Sequence, residues 1–321
     1  MNSNSCDVLI IGAGAAGLSA ALVLGRARRR VIVLDGGPPR NAPAVHVNGY
    51  LGVDGPSPLE LLEIGRRQVK EVGVEVIEAR AGQIEIAGDD FIVRTDAGDI
   101  SARRIVLATG VTDVLPGIAG LREGFGVDVF HCPYCHGHEV ADLRLGVIAT
   151  HPMSGHQARL IRQWSSDVVF FLNDTVQLDA EERRLFAARG VDVVDGPVAE
   201  VVRDGGVLRA VRDQHENSYD VDAVFVATTM MLNLGPVAGL GLEMVDTPIG
   251  PVVAVDHMGM TSVPGVWAAG NIANAASQVI SAAAEGAKVG AMVNSFLIEH
   301  EWAGAERALV GAARPQHIEK G

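Results

Sequence analysis

Cysteine is scarce. There are three in 321 residues, aromatic residues make up 4%, and 26 Lys and Arg face 39 Asp and Glu. Each shortage excludes something. Three cysteines cannot build a disulfide framework. An odd, low count fits a reducing cytosol with one local redox or metal pair. A formal charge of −13 leaves too few clustered cations to track a phosphate backbone, which excludes a nucleic-acid protein and a basic membrane-surface protein. No secretory leader is expected, because residues 1–5 carry no basic stretch and no small-residue cleavage site follows. Residues 8–25 are uncharged and approach the roughly 20 apolar residues of a membrane span. Glycines interrupt that run, however, and a buried strand-turn-helix gives the same hydropathy.

What is present is glycine, 38 residues against 14 prolines, in a chain 48% apolar and 20% charged. That is a globular composition with many tight turns, long enough for about two domains. The first unit reads strand (Asp7 to Ile11), turn (Gly12-Ala13-Gly14-Ala15-Ala16-Gly17), helix, and strand (Val31 to Leu34) ending in Asp35. In such a turn the first glycine bends the chain, the second lets backbone approach a pyrophosphate, and the third lets the helix pack close. The helix N-terminus offers free N–H groups to phosphate. An acid about 20 positions on accepts from the adenosine ribose hydroxyls.

A long Gly/Pro/Asn-rich loop follows over 36–58, carrying Arg40, Asn41, His46 and Asn48, and long loops in compact domains are usually functional. A helix is expected over 57–72, then short strands, then the buried run Ile105 to Gly110 ending Ala108-Thr109-Gly110. The middle third repeats the alternation: strand 145–149, helix 155–164, strand 168–172, helix 181–189, strand 191–194 and a closing strand at 224–229. The tail supplies a strand ending in Gly270-Asn271 and a long Ala-rich helix from about Ala276. The pattern is α/β, two Rossmann-like dinucleotide-binding domains with the second inserted into the first. Residues 1–116 and 248–321 form one, and residues 117–247 the other.

The densest chemistry is His131-Cys132-Pro133-Tyr134-Cys135-His136-Gly137-His138. As a redox pair, CxxC puts two sulfurs within bridging reach, and an adjacent histidine handles protons. As a zinc site it has enough ligands, but structural zinc usually draws on two separate segments, and no second CxxC exists. The remaining alternative is a buried, inert pair. Cys6, before an apolar strand, reads as structural.

Together these motifs resemble the thioredoxin reductase-like branch of the two-dinucleotide-domain flavoproteins, over nearly the whole chain. The carrying residues are the Gly12–Gly17 turn with Asp35, Ala108-Thr109-Gly110, the Cys132/Cys135 pair, and Gly270-Asn271. The resemblance implies bound FAD and a homodimer. It assigns the cofactor to Gly12, Gly14, Ala15, Ala16, Gly17, Asp35, Gly36, Arg40, Asn41, His46, Asn48, Ala81, Ala108, Thr109, Gly110, Gly270, Asn271, Gln278 and Val279. It also makes Cys132 the outer, interchange sulfur and Cys135 the inner sulfur that faces the flavin.

Two departures matter. The second domain of the family carries another glycine-rich turn for NADPH. Here the matching stretch is Ala149-Thr150-His151-Pro152-Met153-Ser154, and the basic cluster beyond the next strand is replaced by Asn173-Asp174-Thr175. Pyridine-nucleotide binding is therefore expected to be lost. After the second cysteine, reductases keep an aspartate, whereas this chain has His136. Cys-Pro-Tyr-Cys-His-Gly with a decayed NADPH turn is similar to the dithiol oxidases of gliotoxin- and holomycin-type biosynthesis. The resemblance implies a cytoplasmic enzyme that oxidises a small-molecule dithiol with oxygen as acceptor, using Cys132, Cys135, His136 and secondarily His138. The alternative is a reductase of a protein disulfide fed by ferredoxin or NADPH.

Overall fold

The computed structural model describes residues 4–53 and 55–312. The chain runs β1 (Ser5–Ile11), α1 (Ala15–Arg26), β2 (Val31–Asp35), α2 (Pro58–Glu71), β3 (Glu75–Glu78), β4 (Ala81–Ala87), β5 (Asp90–Thr95) and β6 (Ile100–Leu107). It continues through β7 (Val111–Val114), α3 (Leu121–Gly124), β8 (Val129–Phe130), α4 (Pro133–His136), β9 (Leu145–Ile148), α5 (Ser154–Ile161), β10 (Val168–Phe171), α6 (Ala180–Ala188) and β11 (Val191–Val194). Then come β12 (Val198–Asp204), β13 (Val207–Asp213), β14 (Ser218–Asp220), β15 (Ala223–Val226), β16 (Thr229–Leu232), β17 (Met244–Thr247), β18 (Gly250–Val253), β19 (Val266–Ala268) and α7 (Val279–Ala312).

Two compact units result. One comprises Met1–Gly37, Leu62–Gly110 and Leu232–Gly321, and the other Pro38–Leu61 and Val111–Met231. In sequence the second interrupts the first, as expected for two Rossmann-like sheets with one inserted. The first unit's sheet has the order β3-β2-β1-β6-β5-β4, with β19 also paired to β6. The pairs among β1, β2, β3, β6 and β19 are parallel. Parallel strands are covered on both faces, which is why Val8, Leu9 and Ile10 are all fully buried. The second unit's five-stranded sheet, β11-β10-β9-β15-β8, is parallel throughout and equally apolar.

The uncharged stretch 8–25 is β1, the glycine turn and α1, not a span. Among the described residues no helix is long and apolar enough to cross a membrane. Helix α1 begins directly at the turn, with Gly14 as its N-cap. The tail helix starts at Val279, slightly later than expected. Not expected was the antiparallel sheet β12-β13-β14. Its hairpin turns through Gly205 and Gly206, at φ 57° and 86°, the left-handed backbone that glycine adopts without penalty.

Helices α1 and α7 pack backbone to backbone. A Cβ at Gly286 would land on the Ala16 carbonyl oxygen, and one at Gly290 would stand 2.8 Å from the Ala20 carbonyl oxygen. These glycines sit one helical turn apart, on the same face. Gly304 is different, since a Cβ there would meet nothing nearer than the Arg307 guanidinium at 4.0 Å. Gly304→Ala should stabilise the holoprotein by up to about 1 kcal/mol through helix propensity. Gly286→Ala should instead destabilise it by about 1–3 kcal/mol, because overpacking outweighs that gain. Denaturant unfolding of both variants checks the pair. Equal effects would mean that α1 and α7 are not in close contact.

Candidate active site

In the first unit, β1 delivers the chain into a turn whose three glycines have separate duties. Gly12 lies at φ 112°, and a Cβ there would strike the Ala108 carbonyl. A Cβ on Gly17 would strike the Gly12 carbonyl, whereas one on Gly14 would meet nothing within 4 Å. Two glycines therefore allow close packing, and the middle one faces open space. Gly14 makes no side-chain cap bond, and the first turn of α1 holds no acidic residue. The leading amides of α1 are left for an anion. Beside this turn, the buried Oγ1 of Thr109 has no hydrogen-bond partner among the described residues, and Gly110 follows at φ 63°. An open cradle with an orphaned buried hydroxyl fits the diphosphate half of FAD.

The other first-unit residues surround that cradle. Gly270 packs against it, since a Cβ there would lie 3.0 Å from the Ala16 side chain. The Gly270 N–H donates to Glu285 Oε2 at 2.9 Å. Glu285 also accepts from Asn274 and Ser277. Asn271 Nδ2 is committed to the carbonyls of Asn274, Ala275 and Ser277, so it organises the 270–278 loop that leads through Gln278 into Val279 and α7. Asp35, at the end of β2, is gripped by Arg66, with Nη2 at 2.6 Å and Nε at 3.0 Å from Oδ2. Its Oδ1 accepts from the Gly37 N–H. Gly36 is exposed, and Ala81 opens β4 half-buried. Arg66 and Glu285 were missed by sequence reasoning, because a helical arginine and a helical glutamate carry no motif.

The loop residues named for the cofactor belong to the second unit, and the contacts seen for them are there. Arg40 grips Asp113 bidentately at 2.6 and 2.7 Å. Asn41 contributes its carbonyl to a turn closed by the Ala44 N–H. His46 is exposed, with Nδ1 2.8 Å from the Gly55 carbonyl. Asn48 Nδ2 donates to the Cys135 carbonyl at 3.0 Å.

Cys132 and Cys135 form a disulfide across 5.4 Å between Cα atoms. Pro133 occupies the first turn of α4, where its missing N–H costs nothing. The segment is pinned by aromatic rings on both sides. His136 stacks on Phe130, with centroids 4.5 Å apart. Tyr134 meets Trp164 edge to face at 5.5 Å. A Cβ on Gly137 would lie 2.8 Å from the Trp164 ring and 2.6 Å from the Pro133 carbonyl, so only glycine fits there. Gln157 of α5 donates from Nε2 to the His131 carbonyl at 2.9 Å. His138 is exposed.

The histidines differ by environment. Burial holds the His136 pKa below its ordinary value, against the pull of Glu139. His131 is pushed down to about 4, first by burial, then by the Arg40 and His136 charges, with Asp113 opposing. Burial works to raise the Asp113 carboxyl, but Arg40 and the Thr228 hydroxyl hold it below the usual range. Cys6 is buried and its thiol is raised to about 12 by desolvation.

The turn after β9 is filled by its own side chains. Buried Ser154 Oγ accepts from the Thr150 and His151 N–H groups, both at 3.2 Å. His151 Nδ1 accepts from the Met153 N–H at 3.1 Å. Pro152 has no N–H to offer. Asn173 is also structural, with Nδ2 on the Ala149 carbonyl and Oδ1 on the Val198 N–H. Arg183 pairs with Asp195 on the surface.

The family description "Pyridine nucleotide-disulphide oxidoreductase" matches residues 6–286. Thioredoxin reductase sirT of Leptosphaeria maculans is 31% identical over 310 residues, covering 90% of this chain and 93% of its own. The crystal structure of HlmI matches with a TM-score of 0.92 at 42% identity, covering 98% of this chain and 99% of that one. An oxidoreductase from Agrobacterium tumefaciens matches at 0.86 and 38% identity, covering 92% and 99%.

A folded pKa of about 4 at His131 against about 6.5 unfolded makes the unfolded chain bind the extra proton. Stability should therefore fall as pH drops from about 6.5 to 4, by at most about 3 kcal/mol from this residue. His131→Gln should flatten that part of the slope in denaturant titrations across pH. A slope unchanged from the native protein would show that His131 is not held neutral.

Proposed function

We propose, from the premise that this chain belongs to the pyridine nucleotide-disulphide oxidoreductase family and is a thioredoxin reductase-like FAD enzyme of thiol-disulfide exchange, that it oxidises a small-molecule dithiol to a cyclic disulfide and delivers the electrons to oxygen. One observation carries the reading. The amides that would receive a pyridine nucleotide's pyrophosphate are already bonded to Ser154 and His151. With that entrance closed, electrons enter through Cys132 and Cys135. The reading assigns FAD binding to 1–116 with 248–321 and the nucleotide-domain-like insert to 117–247. It also carries a homodimer in a reducing cytosol, which the family resemblance and the low cysteine count support.

A substrate thiolate attacks Cys132 Sγ, breaking its bond to Cys135, which leaves as thiolate. The second substrate thiol loses its proton and attacks the substrate sulfur of the mixed disulfide, releasing Cys132. The cyclic disulfide departs, and the protein keeps two electrons. His136 accepts the thiol protons, because its lowered pKa keeps the ring neutral at physiological pH. Exchange runs through thiolates, so a base beside the pair sets the first step. The Gly12–Gly17 turn, Thr109 and the end of β2 would hold FAD, which when bound supplies the two-electron acceptor that restores the disulfide and passes the pair to oxygen.

A small dithiol should bleach the flavin in the absence of air, whereas micromolar NADPH or NADH should not. In air the dithiol should yield peroxide without any pyridine nucleotide. Rapid bleaching by NADPH in stopped flow would overturn the reading. The name thioredoxin reductase carried by the fungal relative favours a second reading, reduction of a protein disulfide with electrons from ferredoxin or NADPH. Turnover with ferredoxin or NADPH and none with dithiols would select it.

His136→Ala should slow dithiol turnover by about 10²–10⁴-fold with FAD retained, the usual worth of a positioned base. Raising the pH toward the thiol pKa of about 8.5 should recover part of the loss. In the native enzyme the rate should fall only below the ordinary histidine pKa of about 6.5, since burial lowers that of His136. If the variant loses FAD but keeps its rate per bound flavin at every pH, His136 is packing, not a base. A larger, pH-rescued loss in His138→Ala moves the role to His138.

A further inference from the structure

Gln157 is half-engaged. Its Nε2 donates to the carbonyl of His131, the residue before Cys132, at 2.9 Å. A carbonyl takes only a donor, so the amide nitrogen must face it. Oε1 is then the free end, and it is buried with no hydrogen-bond partner among the described residues. The residue is not loosely placed. It lies on α5 between buried Ser154, which ties the helix to its own turn, and buried Ala158 and Ile161. A buried acceptor left unmatched in one state of a protein is expected to find its donor in another.

The protein has such a second state. The cysteines are bridged here. Reduction by a dithiol breaks the S–S bond, adds two electrons and two protons, and creates S–H donors next to the peptide that Gln157 holds. We propose that Gln157 is a positioning residue of the redox pair, fixing the chain entering Cys132 through Nε2 and accepting the Cys132 S–H through Oε1 in the dithiol state. Gln157 thus favours the dithiol over the disulfide. The inference goes beyond the oxidase reading and holds whatever the final electron acceptor is.

The test equilibrates the FAD-loaded protein with glutathione buffers and counts alkylated Cys132 and Cys135 by mass, a readout independent of turnover. In each equilibration two glutathione thiols give one glutathione disulfide as the protein gains its dithiol. Gln157→Leu keeps the side chain's bulk and loses both polar atoms. It should shift the equilibrium about tenfold toward the disulfide, which at 29.6 mV per decade is a fall of about 30 mV. The pH profile of Cys132 alkylation should move to lower pH, because the S–H has lost its acceptor. Gln157→Glu also loses the N–H donated to the His131 carbonyl but keeps an acceptor, so relative to Gln157→Leu it should move the equilibrium back toward the dithiol and the alkylation profile back to higher pH. An unchanged equilibrium and profile in a folded, flavin-bearing Gln157→Leu protein would overturn the proposal, as would a shift that the glutamate variant fails to reverse.

Discussion

Where a strand turns into a helix, the first backbone amides have no helical partner and must be satisfied by something. This chain meets that constraint twice, with opposite solutions. After β1, glycines keep the turn empty and the helix start uncapped, so the amides are available to a phosphate. After β9, the same topological position is closed by a serine hydroxyl and an imidazole nitrogen. A satisfied amide gains nothing from a ligand that must first displace its partner. Side chains at 149–154 thus fill a turn that glycines leave open at 12–17.

Closing the second turn has a structural return. Ser154 and His151 fix the start of α5, and α5 with Trp164 just beyond it holds the redox segment from one side. Trp164 sits under Gly137 and Tyr134, Gln157 reaches the His131 carbonyl, and Phe130 lies beneath His136. Aromatic contacts of this kind add about 0.5–1.5 kcal/mol each beyond burial, enough to choose one conformation for a short segment. The same packing half-buries His136 and lowers its pKa, so the anchoring of the segment and the neutral state of this ring have one physical origin.

The parts legible in the sequence were those where a backbone requirement narrows the choice of residue. Gly12, Gly14 and Gly17 could be read because two must lack a Cβ and one must leave room. The Cys132/Cys135 pair could be read from spacing, and the loss of glycine at 149–154 pointed to the closed turn. What escaped was chosen by side-chain reach across the fold. Arg66 on Asp35 and Glu285 under the 270–278 loop each join separate elements of the first unit. Their residue types are ordinary, and nothing local marks them. The β12-β13-β14 sheet escaped for another reason. Its strands are mixed in polarity, with register shifts at Val198/Glu200 and Val202/Arg203, which blur the period-two pattern that marks a half-buried strand.

Charge offers a rival account of why a pyridine nucleotide would be refused, since the chain carries a formal −13 and the nucleotide is itself an anion. The magnitudes decide against it. At physiological salt the Debye length is about 8 Å, so dispersed surface carboxylates act weakly on a ligand seated in a turn. FAD also carries a negatively charged diphosphate, and the same net charge surrounds its cradle. A term common to both sites cannot separate them. The local terms can. One turn offers unsatisfied amides at a helix N-terminus. The other offers satisfied amides, a proline without an N–H, and Asn173 committed to the Ala149 carbonyl and Val198 amide. The difference between the two turns is therefore one of short-range hydrogen bonding, while the overall acidity bears on the solubility of the chain.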